Sequence, residues 1–287
     1  MKYAAIALAC ILGLAFAQEK PPEEKPAEGE QPAEGEAAEG EEEPPSKPPV
    51  PPAVPSDPAK ILSELTLANL AKDITRIDLA AKEIALWASG AKDAVMADSL
   101  AKELAESLKA AKGNWGTLNA IMKALGELRS KEGAKALKRH AFQKKYKDEN
   151  EEKLQAAAIV GLGKSADPKD IGGFEEVSKG DSKIIAKAAY EALGSYGAAK
   201  GKVRRQCAEV LMKRLEMEFP SSGGQGGKSV SPEKQERWTD VSPAMVASMK
   251  ALCREPTIND IENWREWWKE NKKSAKPWKD DDEKESS

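Results

Sequence analysis

His140 is the single histidine of this 287-residue chain, and it sits in KALKRHAFQKKYK (135–147) with Lys138 and Arg139 beside it. One histidine excludes a multi-histidine metal centre, and cationic neighbours are the wrong company for a nucleophile and base, because a carboxylate must orient the imidazole. Carboxylates are abundant, 48 Asp and Glu in all, and no two stand out as an acid–base pair for glycoside chemistry. GGQGGKS (223–229) ends as a phosphate-binding loop does, but the first required glycine falls on Ser222 and no strand precedes it, so it reads as a flexible insertion within 219–238. These residues imply no cofactor, no metal site and no catalytic constellation.

Two other sets invite a binding role. Lys135, Lys138, Arg139, Lys144, Lys145 and Lys147 read as one cationic helix face. Lys138, Arg139, Lys144 and Lys145 would bind an anionic polymer or an acidic partner, but a solvated face opposite Leu137, Ala141 and Phe142 is the expectation. NWREWWKENK (263–272) puts three tryptophans within five positions of a chain that is 5% aromatic. Asn259 and Glu262 have capping-box spacing, and Ile261, Trp264 and Trp268 fall at i, i+3 and i+7. That stripe reads as a structural cap in preference to an aromatic platform for sugar or peptide, and Trp267, beside the stripe, is expected to be half exposed and free for interaction. Cys207 and Cys253 permit one disulfide, or are both small packing residues.

The elements that carry these residues begin after two segments of other character. MKYAAIALACILGLAFAQEK has a basic start, an apolar run from Ala4 to Phe16 and small residues before Gln18, so 1–17 reads as a secretory signal and the mature protein as exported. The run is too short for a spanning helix, which needs about 20 apolar residues. Lipidation at Cys10 is the alternative and fits less well, because the apolar run continues past it. Residues 18–56 hold eleven Glu and three Lys and close on PPSKPPVPPAVP, which reads as a disordered acidic, proline-rich tether. Subtracting both segments leaves 37 acidic and 41 basic residues in 57–287, too small an excess to imply nucleic acid.

From Ser56 or Asp57, with Pro58 at the first helical position, apolar residues recur at helical spacing: Ile61, Leu65 and Ala68, then Leu100, Leu104 and Leu108. Gly90, Gly113, Gly133, Gly180 and Gly197 mark breaks. AIMKALG (120–126), AAIVGLG (157–163) and AAYEALG (188–194) superpose, and AKEIALW (81–87) fits with Trp in place of Gly. Leu86, Leu125, Leu162 and Leu193 are then spaced by 39, 37 and 31 residues, the period of stacked helix pairs. Leu211 follows too soon to anchor another repeat.

DPKDIGGFEEVSKGDSKIIAKAAYEALGSYG (167–197) resembles the short HEAT-type repeat, whose second helix reads D-x-x-V-R-x-x-A-x-x-A-L-G. The Val-Arg pair is replaced by Leu154-Gln155 and Ile185-Ala186 and stands only in KVRRQCAEVL (202–211). The ending W-x-x-W-W-x-x-N, with Trp278 beyond it, is similar to that of exported bacterial HEAT-repeat proteins. The resemblance implies an all-α, HEAT-like solenoid over 57–272, with ten to twelve helices, a capping helix at 257–272 and a charged, disordered tail at 273–287. It also implies a monomeric, non-enzymatic scaffold for a protein partner. An accessory enzyme or ligand-binding subunit acting on envelope polymer is the alternative, and it would need convergent carboxylates in a concave site.

Overall fold

The computed structural model describes residues 57–90, 93–220 and 230–280, all within the unit Pro52–Ser287. The signal-like segment 1–17 with Cys10, the tether 18–56, the GGQGGKS stretch and residues 281–287 lie outside the described residues. The fold is all-α. Among the described residues eleven α-helices follow one another: α1 (Pro58–Ala71), α2 (Ile74–Ala88), α3 (Ala94–Ala110), α4 (Trp115–Leu128), α5 (Lys131–Ala141), α6 (Glu149–Gly163), α7 (Ile171–Val177), α8 (Lys183–Gly194), α9 (Gly201–Glu218), α10 (Pro232–Cys253) and α11 (Ile261–Asn271). No strand occurs among the described residues.

Short polar side chains set most helix starts. Asp57, Asp73, Asp93, Asn114, Ser130, Asp148, Ser182, Ser231 and Asp260 each accept a hydrogen bond from a backbone N–H in the first turn that follows. Each such cap is worth about 1 kcal/mol against alanine. Two expected boundaries move. Gly133 lies inside α5, its N–H donated to the Ser130 hydroxyl at 2.9 Å. The cap of α11 is Asp260, whereas Asn259 accepts from the Lys250 ammonium.

The even-numbered helices pack in sequence, α2 on α4, α4 on α6, α6 on α8 and α8 on α10, and each odd helix from α1 to α9 packs on the even helix that follows it. Every even helix buries residues at i, i+1 and i+4: Ala80, Ala81 and Ile84; Ile121, Met122 and Leu125; Ala158, Ile159 and Leu162; Ala189, Tyr190 and Leu193; Ser248, Met249 and Leu252. Leu125, Leu162 and Leu193 therefore hold equivalent places, but Leu86 does not. It is 68% exposed, and Ile84 fills the layer instead. Two residues are about 200° of helix rotation, enough to turn a core position into a solvent one. Leu211 is buried on α9, outside the even row, which explains its irregular spacing.

The glycine after each anchor leucine is a contact point between helices. A Cβ on Gly126 would come 2.5 Å from the Gly161 Cα, one on Gly163 2.6 Å from the Ala192 Cα, and one on Gly194 2.4 Å from the Ser248 hydroxyl. In the first two pairs, the residue after the leucine of one helix meets the residue before the leucine of the next. Small residues at both places bring the backbones together without a void.

At the C-terminal side the order extends further than expected. α10 starts at Pro232, so the last seven residues of the anticipated 219–238 insertion, 232–238, are helical, and the Phe219 and Trp238 rings meet edge to face at 5.3 Å. Residues after Lys272 form a short 3-10 turn, Lys276–Trp278, packed on α9. Trp278 is buried, its indole N–H donates to the Asn271 carbonyl at 3.2 Å, and the Asp280 carboxylate accepts from the Gly201 N–H at 2.6 Å. The charged tail expected at 273–287 is thus packed as far as Asp280, because an aromatic ring and a helix-start N–H give it partners.

Candidate functional site

Three depressions join end to end across the even-numbered helices. The first, about 620 Å³, is floored by Ala156, Ala157 and Val160 of α6 and Ala188 of α8, between Lys123 on α4 and Lys187 on α8. A second, about 540 Å³, shares Lys187 and Glu191 with it and continues over Gly194 to Ala244, Ala247 and Ala251 of α10. The third, about 530 Å³, shares Pro243 and Ala247 with the second and ends among Phe219, Trp238, Val246 and Ile261. The result is a groove with a shallow alanine floor for most of its length and an aromatic cleft at one end. Pro243 lies inside α10, where its ring nitrogen has no proton for the Thr239 carbonyl one turn back.

Charge along the groove is uneven. Lys164 is held by Glu127 at 2.5 Å and Lys250 donates to Asn259. Lys123 and Lys187 form no ion pair among the described residues, and the carboxylate of Glu191 stands one turn after Lys187. At the aromatic end, Lys250 faces Asp260 and Glu262, and the Arg265 guanidinium lies 5.2 Å from the centre of the Phe219 ring. Such a surface can hold a chain by shape, apolar contact and a few charges. It offers no nucleophile aligned with a base.

The residues singled out from sequence scatter. α5 ends at Ala141, so Lys144 and Lys145 lie in the connection to α6 and do not extend the helix face of Lys138 and Arg139. Lys138 is engaged, 2.8 Å from Asp170 and 3.6 Å from Asp167, and the Asp170 hydrogen bond holds its ammonium above the ordinary lysine range. Burial pushes the Asp170 carboxyl upward, with Lys138 opposing the shift. His140 is half-buried, and burial with Arg139 beside it lowers its imidazole below the usual value. The single cationic face is therefore divided by a helix end and partly neutralised.

Ile261 and Trp264 are buried, and Trp268 is half-buried with its ring 6.1 Å from Trp278. Trp267 is half-buried, and two other tryptophans engage its ring. Its ring meets Trp264 edge to face at 5.7 Å and Trp278 at 6.0 Å. Cys207 and Cys253 are free thiols, which removes the disulfide. Both are buried, and burial pushes each thiol up to about 12, the behaviour of small packing residues. Among the described residues no three His, Cys, Asp or Glu side chains gather closely enough to hold a metal ion. No helix there is long and apolar enough to cross a membrane.

Sequence reasoning missed a buried charged clasp between α9 and α10. The Glu218 carboxylate accepts from Arg214 at 2.6 Å, from Arg237 at 2.8 and 3.0 Å, and from the Tyr190 hydroxyl at 3.2 Å. Arg237 also donates to the carbonyls of Gly180 and Asp181, and Arg214 to that of Ser178. The only signal in the sequence was the Arg–Glu spacing at 214 and 218, which many surface helices share. The groove was missed for another reason: alanines at helical spacing read as core.

No family model matches this chain, and comparison with curated proteins finds no match. Among solved structures, the chain is similar to an engineered protein, a crystal structure from the Northeast Structural Genomics Consortium, at 17% identity and a TM-score of 0.42. The likeness covers 75% of this chain and 97% of that one. A likeness of that size identifies neither a family nor an activity.

Proposed function

We propose that this chain is an exported, non-enzymatic scaffold, a HEAT-like solenoid that holds a protein partner along the groove over α4, α6, α8 and α10. The observation that carries the reading is the groove itself. Successive even helices turn small side chains outward, so the floor accepts bulk from outside, and unpaired lysines flank it. Support for export comes from the signal-like residues 1–17, and support for the HEAT assignment from the repeated Ala, Leu and Gly positions. An accessory enzyme would need carboxyls poised for proton transfer inside the groove. Asp170, the carboxyl pushed upward, lies outside the groove's lining and is paired with Lys138.

Site-specific photo-crosslinking tests the proposal. A crosslinker at 157 or 247 in the full chain, expressed in its own cell, should give one discrete protein adduct, and a crosslinker at Lys135 on α5 should give none. Adducts of equal yield from all three positions, or none from the groove, would overturn it.

A further inference from the structure

The groove's chemistry is specific enough to say what kind of chain it suits, on the footing that it is a partner site at all. Its two ends ask for different things. At the α4–α8 end, Lys123 and Lys187 flank a floor of Ala156, Ala157 and Ala188 and form no ion pair among the described residues, while the intervening Lys164 is already neutralised by Glu127. Two unpaired ammonium groups beside an apolar floor attract carboxylates and repel a basic chain. At the far end, the lysine is balanced by acidic neighbours, and the cleft is walled by Leu215, Phe219, Trp238, Val246 and Ile261. That end selects for an apolar side chain large enough to fill it, the arrangement of an anchor in a pocket. Glu191 sits between the two and disfavours a carboxylate at mid-groove.

We infer that the groove binds a protein segment with carboxylates at one end and a large apolar anchor at the other, the carboxylates meeting Lys123 and Lys187 and the anchor entering the Phe219–Trp238 cleft. The argument for this occupant is complementarity of charge at one end and of shape at the other. Three helix-to-helix steps of about 8–10 Å separate α4 from α10. At about 3.3 Å per extended residue, roughly seven to nine residues span them. The alanine floor fits an uncharged, small-residue stretch in the middle.

Fluorescence anisotropy on the full chain tests the assignment with three labelled synthetic peptides of about twelve residues. The first has three glutamates, a serine–glycine spacer and a leucine–phenylalanine pair. In the second, lysines replace the glutamates, and in the third, serines replace the apolar pair. The first should bind, more weakly as salt rises, and the other two should bind about tenfold or more weakly. K123E/K187E should reduce binding of the first peptide by about tenfold or more and improve binding of the second. Ala247→Trp, at the junction of alanine floor and aromatic cleft, should block the first peptide while thermal unfolding is unchanged. Equal binding of all three peptides would overturn the inference, as would binding of the first that ignores K123E/K187E. Binding that survives loss of the apolar pair would mark a general polyanion surface and overturn it too. If no peptide binds while crosslinkers at 157 and 247 still yield a discrete protein adduct, the inference fails and the scaffold reading stands.

Discussion

Glu218 holds three donors from three helices, and its burial makes it sensitive to its protonation state. Burial alone raises its carboxyl, but hydrogen bonds and charge from Arg237 and Arg214 outweigh that and hold it below the usual carboxylate range. A carboxyl depressed in the folded state contributes stability that is present above its unfolded value, about 4.3, and is lost as pH falls through the folded value. Glu218→Gln should therefore cost about 3–5 kcal/mol at pH 7, since it leaves the buried Arg214 and the half-buried Arg237 guanidinium groups without their anion. In denaturant titrations the gap between wild type and variant should shrink as pH falls below the ordinary carboxyl range. A gap independent of pH would show that packing, and not charge, holds α9 to α10. Beyond the Arg214–Glu218 spacing, none of this was visible in the sequence, because Tyr190, Arg214, Glu218 and Arg237 converge only once three helices are in place.

At the scale of elements, the contact between helices rests on positions too small to look important. Gly163→Val puts atoms where the Ala192 backbone already lies and should destabilise by about 1–3 kcal/mol or more through overpacking. Gly172→Ala on α7, where a Cβ meets nothing within 4 Å, should be neutral or stabilising by up to about 1 kcal/mol. Thermal melts of the two variants check both signs. The tryptophans form a second such unit. Trp264→Ala should cost about 3–5 kcal/mol. Trp267→Ala should cost about 1–3 kcal/mol through its two edge-to-face contacts, more than a peripheral ring would. Equal, negligible losses would return both rings to a recognition role. Helix type and the positions of Leu125, Leu162, Leu193, Ile261 and Trp264 were legible from period alone. The Leu86 register was not, since Leu86 and Ile84 both suit a helix and only the neighbouring α4 decides which one faces inward. The end of α5 at Ala141 was hidden because lysines continue the charge pattern beyond it, and the groove was hidden because an outward alanine and a buried one look the same in sequence.

Across the whole molecule, two buried thiols can report how the array comes apart. Cys207 on α9 and Cys253 at the end of α10 lie in the same core as the helices before them. If the array opens as one unit, both should react with a thiol reagent at one common rate that tracks global unfolding. Faster reaction of both, with α1 to α8 still protected in hydrogen exchange, would place a separate, weaker cooperative unit at the C-terminal side. Arg204 bears on this choice. It is fully buried and donates to the carbonyls of Leu252 and Lys279, so α9, α10 and the final turn share one donor.

The strap around α9 also has a bearing on time. A chain synthesised from its N-terminus can stack α1 to α8 pair by pair, each contact made with a neighbour already present. α9 is different. The N–H of Gly201, near its start, finds its acceptor on Asp280, 79 residues later, and the Lys279 carbonyl that Arg204 bonds arrives 75 residues after it. Gly201 has no side chain because the Trp278 carbonyl must pass against it. During synthesis, then, the helix carrying Arg204 keeps its donors bonded to water and cannot be buried without cost while α10 and α11 emerge, and the segment up to Asp280 acts as a latch. A ribosome-bound chain stalled before Ser274 leaves the tunnel should be protected from protease through α8 and cut beyond it, and release of a few more residues should close the fold.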